Sequence, residues 1–109
     1  MIISTMNDLP GYQVVEVLGE VFGLTVRSRH AGSQIGAGLK SMFGGELKGM
    51  TKMLNESRIE AQQRLTENAA ALGANAVLAM RFDVNDLGDF GQEMCAYGTA
   101  VRVQKATRT

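Results

Sequence analysis

Cysteine is nearly absent from this chain of 109 residues: Cys95 stands alone, so no intramolecular disulfide can form and the cytoplasm is the expected compartment. Histidine also occurs once, at His30, which leaves no paired His or Cys ligands at zinc-site spacing. An excess of charge of one sign is missing as well. With 11 acidic and 11 basic residues the formal net charge is zero, so no global field recruits nucleic acid or an anionic membrane. Near-neutrality also removes a self-repulsion that opposes association. Aromatic residues make up only 6% and the basic residues are dispersed, which argues against stacking on single-stranded nucleic acid. No segment approaches the ~20 apolar residues that span a bilayer, and the opening Met-Ile-Ile-Ser-Thr lacks the parts of a signal peptide. What remains is 45% hydrophobic, ordinary for one small domain over residues 1–109. A domain of this size buries about two-thirds of its unfolded surface, so oligomerisation would be a natural supplement.

The organising stretch is residues 47–82. Leu47, Met50, Leu54, Ser57, Ala61, Leu65, Ala69 and Leu72 recur at steps of three and four, one side of a long helix. Gly73 stands where a left-handed C-terminal cap is wanted, and Gly49 weakens the start. Beyond it, Ala76, Leu78, Met80, Phe82 and Val84 alternate with Val77, Ala79, Arg81 and Asp83, which predicts a strand with one apolar face.

The rest of the chain is read around that stretch. Ile2 and Ile3 suit a short first strand, followed by a turn at Asn7, Asp8, Pro10 and Gly11. Residues 12–27 are rich in Val and interrupted by Gly19 and Gly23, which predicts one long bent strand or two strands meeting at a glycine bulge. Ile35, Leu39, Met42 and Phe43 suggest a short helix between Ser33 and Gly44, with Gly44 and Gly45 as a hinge and Glu46 in the first turn of the long helix. Residues 85–91 read as a loop and 92–104 as the last strand, with Gly98 a bulge or close-packing point. The expected fold class is α+β, an antiparallel sheet with one long helix packed across it.

Several spaced motifs then carry a resemblance. Leu-Pro-Gly-Tyr at 9–12, Gly-Gly-Glu at 44–46, Arg58 with Ala61, Gly-Ala-Asn-Ala-Val at 73–77 and Tyr-Gly-Thr-Ala-Val at 97–101 make the chain similar to the YbjQ family, also called UPF0145 or DUF74, of uncharacterised small bacterial proteins. The resemblance implies a dodecin-like β-α-β-β subunit in a ring-shaped pentamer. The family carries a heavy-metal-binding label, but Cys95 matches no metal motif of the family.

Candidate sites follow from residue types. Arg58 falls at the edge of the apolar helix stripe and needs a carboxylate, for which Glu46, Asp83, Glu93 or a neighbouring subunit are candidates. A structural or interface ion pair is favoured for it over a ligand contact. Arg81, on the less apolar face of its strand, and Thr99 join Glu46 and Arg58 as ligand or interface candidates. On another side of the helix, Ile59, Gln62, Gln63, Thr66 and Ala70 form an uncharged stripe, and depletion of charge marks an interface core. Ile59, Gln63, Thr66 and Ala70 are therefore the expected oligomer contacts. The glycine-rich run 32–49 matches neither phosphate-loop nor dinucleotide spacing and reads as helix punctuation. One His, one Cys and no Ser-His or paired-acid pattern leave no nucleophile with an identifiable base. The expectation is a non-enzymatic cytoplasmic homo-oligomer that needs no cofactor, partners itself, and holds a small ligand or ion between subunits. The alternative is a metal- or thiol-dependent binding protein using Cys95 or His30, with one thiol per subunit gathered around a ring axis.

Overall fold

The computed structural model of the protein describes residues 1–27 and 48–107. Strands β1 (Ile2–Ile3) and β2 (Tyr12–Arg27) precede helix α1 (Lys48–Ala71), and β3 (Ala76–Asp86) and β4 (Gln92–Lys105) follow it. The predicted loop between β3 and β4 is tightened by one 3-10 turn, Gly88–Phe90. The short helix expected between Ser33 and Gly44, the glycine hinge, His30, Glu46 and Leu47 lie outside the described residues.

The sheet order is β1-β3-β4-β2. β4 runs antiparallel to both β2 and β3, but β1 pairs parallel with β3 through Ile2–Ala76 and Ile3–Val77. The sheet is therefore mixed, which corrects the antiparallel expectation. A parallel neighbour requires a long crossover, and here the crossover contains β2 and α1. The chain then continues along β3, with Ser4 N–H donating to the Val77 carbonyl at 2.9 Å and Ala79 N–H to that of Met6 at 2.8 Å.

α1 ends as its sequence predicts. Gly73 adopts φ 89°, its N–H donates to the Ala70 carbonyl, and Ala74 N–H donates to that of Ala69. These are the two hydrogen bonds of a Schellman motif, which satisfy carbonyls left over by the last turn. Ser57, Ala61, Leu65 and Ala69 are buried and Leu54 partly so. Leu72 departs from the stripe and is 48% exposed, because the helical period has ended at Ala71 and no longer assigns it a side.

The helix lies against β2 at very short range. A Cβ on Gly23 would sit 2.1 Å from the Ala61 carbonyl oxygen and 2.3 Å from the Leu65 nitrogen. Only glycine admits the helix backbone there. Gly23 is thus a contact point within one continuous strand, whereas Gly19, at φ 113°, sits at one of two bulges, between Val17 and Gly19 and between Val14 and Glu16. Val21, Val77, Met80, Met94, Ala96 and Ala100 complete the core under the helix.

β3 does not keep one apolar face. Its register against β4 slips between Leu78 and Arg81, and Ala79 has φ 53°. Because side chains alternate with period two, one inserted residue moves the apolar set to the other face. Ala76 and Leu78 join Val101, Val103, Ile2 and Leu9 in a second cluster, while Met80 and Phe82 join the helix-side core.

The outer edge of β2 is partly sealed by α1. Asn68 donates to the Phe22 carbonyl at 2.7 Å and Arg64 to that of Leu24. Arg27 donates to Ser57 Oγ and to Glu60, which also accepts from Arg64. These polar side chains occupy strand carbonyls that would otherwise invite another chain. Among the described residues, 12–17 have no such cover from α1, and Tyr12, Val14, Val15 and Val17 are exposed there.

Gly23→Ala should therefore lower stability by about 1 to 3 kcal/mol as an overpacked contact. Gly49→Ala, in a helical position with open space around it, should raise stability by about 1 kcal/mol. Urea midpoints of the two variants check both signs. Leu65→Ala should cost about 2 to 5 kcal/mol in the same measurement.

Candidate functional site

The motifs that carry the family resemblance have structural roles wherever they are described. In Leu-Pro-Gly-Tyr, Tyr12 N–H donates back to the Leu9 carbonyl across Pro10 and Gly11, with Gly11 at φ 86°. That combination suits a turn with Pro at its second and Gly at its third position. In Gly-Ala-Asn-Ala-Val, Gly73 caps α1 and Asn75 bonds the Val103 backbone in both directions, at 2.9 and 2.8 Å. In Tyr-Gly-Thr-Ala-Val, a Cβ on Gly98 would meet Val77 Cγ1 at 2.6 Å, and Ala100 and Val101 are buried. These positions specify turns, caps and close contacts.

The predicted charged candidates do not form one site. Arg58 lies 5.4 Å from the centroid of the Phe82 ring, a cation–π contact on the helix side of the sheet. Of the carboxylates expected as partners, Asp83 and Glu93 belong to the opposite face, while Glu46 is outside the described residues. Arg81 is on that opposite face, and its Nη1 donates to the carbonyls of Thr5 and Met80. It ties the N-terminal segment to the sheet. Thr99 is half-buried and pairs with Glu20 and Leu78. Arg58, Arg81 and Thr99 are therefore not brought together, and Glu46 is outside the described residues.

The uncharged helix stripe is where the wheel put it. Ile59 is 60% exposed, Gln63 and Ala70 are exposed, and Gln62 and Thr66 are half-buried. Ile59, Gln62, Gln63 and Thr66 line one shallow open groove.

The face of the sheet away from α1 was not foreseen as a surface. Glu20, Phe22, Leu24 and Val26 of β2 stand opposite Thr99, Tyr97, Cys95 and Glu93 of β4. Phe22, Leu24 and Val26 are exposed. Among the described residues, only the strand pairing reveals this exposed face. Cys95 lies low among these neighbours, 9% exposed, with its thiol donating to the Ala96 carbonyl at 3.6 Å. Burial pushes the thiol above its ordinary range, and the charges of Glu93 and Asp83 push it further.

A family model described as "Putative heavy-metal-binding", that of YbjQ, matches residues 1–104. The chain belongs to the YbjQ family. A UPF0145 protein of Streptomyces griseus is 67% identical to it over 96% of this chain and 87% of that protein. One from Streptomyces coelicolor is 67% identical over 96% and 99%, and one from Sulfurisphaera tokodaii 49% over 97% and 93%. A crystal structure from Pediococcus pentosaceus, of a protein with unknown function in the DUF74 family, is 15% identical with a TM-score of 0.51, covering 97% of this chain and 98% of that one. It supports the fold. Among the described residues no helix is long and apolar enough to cross a membrane.

The family description can be tested against the donors present. Among the described residues no group of three or more His, Cys, Asp and Glu is placed to hold a metal ion. Cys95 is held in the thiol form, whereas the soft-metal ligand is the thiolate. Within one chain the described residues do not fit a heavy-metal site.

Folding raises the Cys95 pKa, so its protonated form adds stability that is full below the unfolded thiol range, about 8.5, and is lost as pH rises through the folded value. At about pH 8 a disulfide reagent should thus react with Cys95 more slowly than with a free thiol. Asp83→Asn and Glu93→Gln should each accelerate it, measured by absorbance of the released thiolate.

Proposed function

We propose that this protein acts as a self-associating, non-enzymatic cytoplasmic subunit whose ring presents binding surfaces for a small ligand or ion where copies meet. The observation that carries this reading is the open, uncharged stripe of α1 at Ile59, Gln62, Gln63 and Thr66. A lone solvated helix gains from charges on its outer face, and an interface core is depleted of them.

A second unsatisfied surface fits the first. Val15 and Val17 are 48% and 66% exposed on the half of β2 whose edge α1 does not seal. β2 has 16 residues and at ~3.3 Å each extends roughly 50 Å, well beyond a compact domain of this mass. A projecting apolar strand on one copy and an uncharged helix stripe on the next make a head-to-tail contact, which closes into a ring if its rotation permits. Five is the subunit number that the family resemblance implies.

Sedimentation velocity should give a mass of several subunits for the unmodified protein and a shift towards monomer for Ile59→Glu. An unchanged mass for that variant would refute the assignment of the stripe. Native mass spectrometry of the same samples reports subunit number together with any retained ligand.

A further inference from the structure

The open face of the sheet contains a depression of about 380 Å³ that neither of these contact surfaces uses. It is lined by Glu20, Phe22, Ala79, Tyr97, Gly98 and Thr99. Phe22 and Tyr97 are directly paired across β2 and β4, and Glu20 and Thr99 form the next pair on that face. The hollow is constructed by the backbone. The extra residue of the β3 bulge is Ala79, at φ 53°, and it lines the hollow across from the Gly98 backbone. A non-glycine residue in the left-handed region persists only where its surroundings hold it, and such strain gathers at functional sites. Here the Ala79 N–H is already held by the Met6 carbonyl.

The lining selects a charge. Its ionisable side chains are a carboxylate, Glu20, and a phenol, Tyr97, and both ring residues carry negative π faces. The nearest guanidinium along the strands, that of Arg81 beside Tyr97, donates to Thr5 and Met80 carbonyls. Further along the same face stand Asp83 and Glu93, whose charges already act on Cys95. Two aromatic rings beside a carboxylate form the arrangement that attracts an ammonium with an apolar body.

We propose that this depression binds a small alkylammonium cation, with its charge against Phe22, Tyr97 and Glu20. A free small molecule is the indicated occupant, because the volume lies within the ordinary range for such sites, about 300 to 1,000 Å³. The proposal goes beyond the assembly argued above and does not depend on it.

The full-length protein is titrated with tetramethylammonium and, separately, with its neutral isostere tert-butanol. The chain has no Trp and only Tyr12 and Tyr97, so tyrosine emission reads the site directly, with calorimetry as a second readout. The cation should give a saturable change and the neutral isostere none. Glu20→Gln should weaken binding about threefold to fivefold. Tyr97→Leu should weaken it roughly tenfold, while Tyr97→Phe retains it. Absence of saturation, an equal response to the isostere, or unchanged affinity in Glu20→Gln would overturn the proposal. Glu20 is exposed, so its variant keeps the test valid if Tyr97→Leu unfolds. Assembly is followed separately by mass, so the two readings fail independently.

Discussion

The contact between Gly23 and the backbone of α1 at Ala61 and Leu65 sets how the helix sits on the sheet. A helix normally rides on a sheet through interlocked side chains, about 10 Å between layers. Here a missing side chain on β2 lets one turn of the helix descend onto the strand. Small residues follow from that approach: Ala61 and Ala69 on the helix, and Ala96 and Ala100 on β4, are all fully buried. With the helix this close, Ser57, Glu60, Arg64 and Asn68 come within hydrogen-bonding reach of β2 and its outward carbonyls. The packing of the core and the protection of a sheet edge therefore have one cause.

That arrangement divides β2 into two halves with different fates. Beside α1 the edge is occupied by side-chain donors. Before Gly19 it is long, apolar and broken by two bulges, features that alter twist at an exposed edge. The exposed valines before Gly19 and the uncharged stripe of α1 are thus separate surfaces of the chain.

The family description and the chemistry of the described residues point in different directions. The residues that mark the family make a turn at Gly11, a helix cap at Gly73, a backbone clasp at Asn75 and a close packing point at Gly98. They identify a fold. Burial first, and then the charges of Glu93 and Asp83, push the lone thiol towards its protonated form, which is poor ground for binding a soft metal within one chain. A ligand is better sought where the sheet is hollowed, at the Ala79 bulge, where rings and a carboxylate converge.

The sequence by itself determined the helix, its stripe from Ser57 to Ala69, its glycine cap, and the extent of the strands, because these depend on periodicity and on local backbone preferences. It also picked out the uncharged stripe, which a helical wheel does without tertiary information. Only the tertiary structure decided which face each strand residue occupies. A single inserted residue at Ala79 reverses the alternation, and nothing in an Ala between Leu78 and Met80 announces a positive φ. The contact of Arg58 with a ring was hidden for the same reason: the slip in register sends Phe82 towards the helix and Asp83 away from it. The parallel pairing of β1 and the depression at Phe22 and Tyr97 likewise join residues more than seventy positions apart, a separation at which only the folded chain brings them together.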